Sequence, residues 1–356
     1  MGNISLKQLS DQRETLDPGK MWDAIASFAD QLEAASRISL PSEIPYASQD
    51  IENIVFCGMG GSAIGGDLLN AYFRNELIVP MEVNRNYTLP NYVSPNTLVI
   101  VSSYSGNTEE TLSSYLAAQE AGAMIIGITS GGELAELLQD KKLPWIRIPG
   151  GMQPRAALGY SFIPMAKLLN NLDFAGGSIQ EDIRETISLV RDLSKKYQSD
   201  SKNNTAIRLA EDIYGTVPII YTDPELAAVG TRWKGQLAEN AKMLAFTHQL
   251  PEMNHNEVVG WETQQKFYNQ TRLVWLCDEN SHSAVQARRK ITGKLLQEIA
   301  GHQNTAQSSG KSWLARLFSL IHLGDWVSLY VSLAGGVDPT PVDRISLLKQ
   351  RLAREN

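Results

Sequence analysis

The chain has 356 residues, 43% hydrophobic and 20% charged, a composition that supports two folded domains and excludes a disordered or fibrous chain. A formal net charge of −7 excludes an overall basic field, so neither nucleic acid nor an anionic membrane is an expected partner. Cys57 and Cys277 are the only two cysteines and sit far apart in apolar runs, which excludes a disulfide framework and points to a reducing, cytoplasmic setting.

In chain order, residues 1–17 read as a loosely ordered arm, with no apolar leader core. The spacing of Met21, Trp22, Ile25, Phe28, Ala29 and Leu32 predicts an amphipathic helix. Strands are expected at 54–57, 77–83, 97–101, 124–128 and 145–148, alternating with a glycine-rich turn at 58–66 and helices at 67–74, 112–121 and 132–141. A helical connection at 164–195 leads to a polar linker at 196–204. The alternation then resumes: helix 206–214, strand 217–221, helix 226–243, strand 272–276, helix 284–300. Residues 301–312 read as a mobile polar loop, 313–333 as a long apolar helix and 342–353 as an amphipathic one. No apolar run is judged long enough to cross a membrane, which takes about 18–20 residues. The fold class that follows is α/β, with mainly parallel sheets flanked by helices. The expected boundaries are an arm at 1–20, a first domain at 21–195, a second at 205–335 and a C-terminal segment at 336–356.

Two turns carry the chemistry. Residues 102–111, Ser-Ser-Tyr-Ser-Gly-Asn-Thr-Glu-Glu-Thr, lie between a strand and a helix, where backbone N–H groups and the helix dipole favour an anion. Ser103, Ser105 and Thr108 add hydroxyl donors, and Gly106 lets the backbone approach closely. The decapeptide has no Lys or Arg, so a small phosphorylated metabolite suits it better than a polyanion. Asn107 and Glu110 also fit a capping box that needs no ligand. The earlier turn, Gly58-Met59-Gly60-Gly61-Ser62-Ala63, fits a dinucleotide fingerprint, with Glu82 placed for a ribose. It equally fits a tight packing turn, or one wall of a sugar-phosphate site faced by Gly61 and Ser62. The five histidines are scattered and no CxxC occurs, so no metal is expected.

Together the Gly-Gly-Ser-Ala turn and the serine loop resemble the sugar isomerase (SIS) domain. Gly150-Gly151-Met152-Gln153-Pro154-Arg155, Glu239-Asn240-Ala241-Lys242, Asn254-His255-Asn256-Glu257 and Asp343-Arg344-Ile345-Ser346-Leu347-Leu348-Lys349 narrow this to a resemblance to the bifunctional phosphoglucose/phosphomannose isomerases. The resemblance runs from about residue 20 onward and implies two SIS-type three-layer α/β/α domains. It implies metal-independent and cofactor-free aldose–ketose isomerisation of glucose 6-phosphate and mannose 6-phosphate to fructose 6-phosphate through a cis-enediol(ate). By motif position, Glu239 matches the base, Arg155 the stabilising cation, and His255 and Lys349 the ring-opening or substrate-contacting groups. The phosphate falls to Ser103, Ser105 and Thr108, and the sugar side to Gly61 and Ser62. The resemblance also implies a homodimer with His255 in the partner's site, and a C-terminal helix returning to the site. Without the late motifs, a non-catalytic phosphosugar sensor and a dinucleotide-dependent oxidoreductase stand as alternatives.

Overall fold

A computed structural model describes residues 6–177, 179–199, 203–263, 265–300 and 302–355. The first elements are α1 Leu6–Leu16, α2 Met21–Ala26, α3 Phe28–Ser36, β1 Asn53–Gly58, α4 Gly60–Phe73, β2 Met81–Asn84 and β3 Thr97–Ser103. There follow α5 Glu109–Glu120, β4 Met124–Thr129, α6 Gly132–Asp140, β5 Trp145–Arg147, α7 Leu158–Asn171 and α8 Ile179–Tyr197. The rest comprises α9 Thr205–Ile213, β6 Val217–Thr222, α10 Ala227–Asn240, β7 Phe246–Gln249, α11 Gln265–Tyr268 and β8 Thr271–Cys277, then α12 Ser283–Ala300, β9 Gln303–Gln307, α13 Trp313–Ala334 and α14 Asp343–Leu352. Two compact units emerge: Ser27–Arg191 with Ser309–Phe318, and Met1–Ala26 with Asp192–Ser308 and Ser319–Asn356.

The first sheet has the order β2-β1-β3-β4-β5, every pair parallel. Every residue of β3 is buried, as a central parallel strand with both faces covered requires, and its run of Leu98, Val99, Ile100 and Val101 is continuous rather than alternating. One face packs Val55, Val99, Val101 and Ile125 against Tyr115 of α5 and Leu134 and Leu138 of α6. The second sheet is also all parallel, in the order β7-β6-β8-β9. Its core gathers Tyr221, Leu273 and Trp275 with Leu250, Met253, Trp261 and Leu296. Both sheets are flanked by helices, the α/β class read from the sequence.

Several expectations need correction. Residues 6–16 are helical and Leu9 is buried, so this stretch is not a loose arm. The glycine turn is shorter than expected, because α4 already begins at Gly60. The second strand starts only at Met81, after Pro80, which has no N–H for a ladder. Residues 303–307 form β9 rather than loop, paired parallel to β8; residue 301 lies outside the described residues. Of the expected linker, Lys196 and Tyr197 belong to α8 and Asn204 caps α9; residues 200–202 lie outside the described residues. Helix α13 is, by length and composition, long enough to cross a membrane, contrary to the sequence reading, but the window concerned is 94% buried in the protein. A helix apolar on all sides is a core helix when it is covered in this way.

Within the second unit, Trp22 packs edge-on to Trp326 of α13, and Trp326 also lies near Tyr330. His322 is fully buried there. The Trp326 indole N–H donates to its Nε2 at 3.1 Å, and the Ser194 hydroxyl lies 2.8 Å from the same nitrogen. A nitrogen that accepts from an indole carries no proton of its own. Burial, aided by the Arg232 charge, pushes the His322 pKa down from 6.5 to about 3, in accord with that geometry.

Candidate active site

In the first sheet, β1 pairs with β2 on one side and β3 on the other, so the strand order reverses at β1. Open parallel sheets bind ligands beyond the strand C-termini at such a point. The two turns singled out in the sequence emerge there. After β3, the Ser103 hydroxyl accepts from the Gly106 N–H at 3.0 Å and lies 2.8 Å from the Thr108 hydroxyl. Ser105 is exposed, and its hydroxyl accepts from the Asn107 N–H at 3.3 Å. Gly106 has φ +74°, and a Cβ there would overlap the Gly131 carbonyl oxygen. After β1, the Ser62 hydroxyl accepts from the Tyr104 N–H at 3.2 Å, which ties the glycine turn to the serine loop. Neither α4 nor α5 has a side-chain hydrogen bond at its N-cap, so their first-turn amides suit a bound anion. The capping box read from Asn107 does not form. Thr108 is the N-cap of α5, and the Asn107 amide oxygen instead accepts from the Glu133 N–H at the start of α6, at 3.0 Å.

Arg155 stands on a short 3-10 turn, Pro154–Ala156, between β5 and α7. It is buried, and its Nη1 donates to the Gln153 side-chain oxygen at 3.4 Å. This turn packs directly on Gly61: a Cβ on Gly61 would stand 2.9 Å from the Pro154 carbonyl oxygen. The glycine thus admits protein backbone, which accounts for it without a dinucleotide. Glu82, the expected ribose partner, accepts from the Tyr92 hydroxyl at 2.6 Å on the exposed edge strand β2. This unit therefore brings Gly61, Ser62, Ser103, Ser105, Thr108 and Arg155 to one end of one sheet.

The other unit carries Glu239, His255 and Lys349. Helix α10 presents Arg232, Gln236 and Asn240 at four-residue spacing to α13. Arg232 bonds both Asp325 oxygens at 2.9 Å, Gln236 bonds Asp325 at 2.7 Å and Asn240 bonds Ser328 at 2.9 Å. Glu239 flanks this locked face, half-buried, and lines a cleft of ≈ 410 Å³ with Met243, Leu244, Val342 and Ile345. The Lys242 ammonium donates to the Glu239 carbonyl oxygen at 2.6 Å, at φ +55°.

His255 is exposed at the end of a 3-10 turn, Glu252–His255, whose neighbours anchor it. Met253 is buried, Asn254 donates to the Thr292 hydroxyl at 2.8 Å, and Glu257 takes both the Tyr221 hydroxyl at 2.8 Å and His248 Nδ1 at 2.5 Å. Lys349 is exposed on α14, beyond the residues that line the cleft. The apolar stripe expected beside it, Ile345, Leu348 and Leu352, is 45%, 57% and 43% exposed, so it is not buried within this chain.

A bifunctional phosphoglucose/phosphomannose isomerase from Caldicellulosiruptor bescii is 41% identical over 94% of this chain and 99% of its own length. The chain belongs to the bifunctional phosphoglucose/phosphomannose isomerase family. A relative of the same name from Aquifex aeolicus is 37% identical over 85% of this chain and 91% of its own. The SIS domain model matches residues 49–164, which hold the serine loop and Arg155. The model of the bacterial phospho-glucose isomerase C-terminal SIS domain matches residues 202–352, which hold Glu239, His255 and Lys349. A hypothetical protein from Thermus thermophilus shares the fold, with a TM-score of 0.75 at 17% identity, over 98% of this chain and 94% of its own.

Sequence reasoning missed Tyr104 as the hub of the family's serine loop. Its N–H holds Ser62, its hydroxyl accepts from the Met152 N–H at 3.1 Å and its carbonyl accepts from the Ser130 hydroxyl at 2.7 Å. An aromatic inside a run of hydroxyl residues was the signal available for it.

Proposed function

We propose that this isomerase converts both glucose 6-phosphate and mannose 6-phosphate reversibly to fructose 6-phosphate, without a metal or cofactor. The observation that carries the reading is the 41% identity, end to end, with a relative named for both activities. The hydroxyl cradle at the strand-order reversal supports it, since a dianionic phosphate suits Ser103, Ser105, Thr108 and the amides of α5. Gly61 and Ser62 then line the sugar side.

Glu239 serves as the base. Its carboxylate takes the proton from C2 of the open-chain aldose and returns it to C1, while a hydroxyl proton moves between O1 and O2. The charge on the intervening enediolate is offset by the Arg155 guanidinium. His255 and Lys349 open the pyranose ring by moving a proton between the ring oxygen and the C1 hydroxyl, a task suited to an imidazole because one ring nitrogen can accept a proton while the other donates one. The exposure of His255 on an anchored turn supports its delivery into a partner's site in a homodimer. The buried free thiols of Cys57 and Cys277 fit a reducing compartment, the cytoplasm.

The test is a pair of coupled assays with glucose 6-phosphate and mannose 6-phosphate, without added metal and again with chelator. Fructose 6-phosphate from both, unchanged by chelator, is expected. Binding of these phosphosugars without turnover would instead make the chain a sensor. Thermal stabilisation by NAD(P) but not by fructose 6-phosphate would make it an oxidoreductase.

A further inference from the structure

The second sheet repeats the strand arrangement of the first: β6 lies between β7 and β8 as β1 lies between β2 and β3. At this second reversal point the chain leaves β6 at Asp223 and leaves β8 into residues 278–282, ahead of α12. By strand order, the loop at 278–282 is the counterpart of the serine loop between β3 and α5. It too presents donors, and two of them close on one carboxylate. The Asp278 N–H donates to Asp223 Oδ2 at 2.9 Å and the Ser281 hydroxyl donates to the same oxygen at 2.7 Å. From α12, Arg289 Nη1 reaches Oδ1 at 2.7 Å and Oδ2 at 2.6 Å. Asp223 is 0% exposed, and Ser281 and Asp278 are buried beside it. Asp278 is itself held by the Ser308 hydroxyl, at 2.5 Å, from the end of β9.

A backbone amide, a hydroxyl and a guanidinium converging on one buried anion make the donor set of an oxyanion site. We propose that the loop between β8 and α12 is an oxyanion seat whose occupant is the chain's own Asp223 carboxylate. The second sheet is thereby closed to an external anion, while the first keeps an open cradle. Without the carboxylate, the seat takes a small carboxylate of formate size, because Asp223→Ala removes one carbon and two oxygens and leaves the donors in place. The seat rests on the geometry around Asp223 alone and stands whatever the substrate of the first sheet.

The experiment is thermal unfolding of the full chain in sodium formate against sodium chloride at matched ionic strength. Asp223→Ala in chloride is expected to melt at least about 5 °C below the wild type, since Arg289 loses its counter-charge. Formate is expected to restore at least half of that loss with a saturable dependence, and to leave the wild type unmoved. Two controls locate the effect: Asp223→Asn, which refills the seat with a neutral side chain, and Asp223→Ala combined with Arg289→Gln show no formate response. Equal formate shifts in wild type and variant, or none in the variant, overturn the proposal. If Asp223→Ala does not fold on expression, it is refolded from urea in each salt. Recovery in formate alone supports the seat, and failure in both overturns it.

Discussion

At the scale of single residues, the proposed base sits on a helix whose neighbours leave it little freedom. Glu239 follows Gln236 and precedes Asn240, both bound to α13, so its helix cannot rotate to relieve a substitution. Glu239→Gln keeps the shape and removes the proposed base. It is expected to lower kcat for both aldoses by about 10²–10⁴-fold, with the urea unfolding midpoint unchanged, as read by coupled assay and denaturation. Gly106→Ala acts in the other sense. A left-handed backbone and an overlap with the Gly131 carbonyl predict a loss of roughly 2–4 kcal/mol in urea unfolding and a raised KM for both substrates. The strand-to-helix turn that carries Ser103, Ser105 and Thr108 was legible because hydroxyls crowd between an apolar run and a helical pattern. Asn107 was misread because its nearest sequence partner, Glu110, is not its partner in space; the Glu133 amide is. Asp223 gave no sequence signal, since its partners lie 55 to 66 positions away.

At the scale of elements, α10 depends on a polar seam. Arg232→Met leaves Asp325 buried beside Gln236 without its guanidinium, and a loss of about 3–5 kcal/mol in urea unfolding is expected. Combining it with Asp325→Leu is expected to recover much of that loss, because neither charge then remains to be compensated. The central strands could be read directly, since β1, β3, β4, β6 and β8 are buried apolar runs between breakers. The edge strands of the second sheet could not. β9 is Gln-Asn-Thr-Ala-Gln with only Ala306 buried, and β7 has no buried residue, so neither shows the apolar pattern that marks a covered strand. α14 shows the converse limit: its periodicity correctly gave a helix, but a stripe in sequence does not say what covers it.

At the scale of the whole molecule, His322 links stability to pH. The unfolded chain binds a proton on this imidazole below about pH 6.5, and the folded chain does not until about pH 3. Proton uptake therefore favours the unfolded state between those values, and stability falls as pH drops across that window. His322→Gln is expected to flatten the dependence of unfolding free energy on pH from 6.5 to 4, measured by urea titration at several pH values. The proposed dimer has its own test. Mixing and reassembling Glu239→Gln with His255→Ala, each inactive alone, is expected to return about a quarter of wild-type activity if the histidine crosses to the partner. No recovery places His255 in its own subunit's site. Helix α13 contributes residues to both units. A ribosome makes it after both sheets, yet residues 313–318 supply Trp313 to the Ala71 carbonyl and Phe318 to Phe28 and Phe162, while residues 319–334 supply Trp326 and Tyr330 to Trp22. Neither unit is complete on a nascent chain that stops short of residue 313. Such stalled chains are expected to remain open to protease, with both sheets made but the aromatic contacts of α13 missing from each unit.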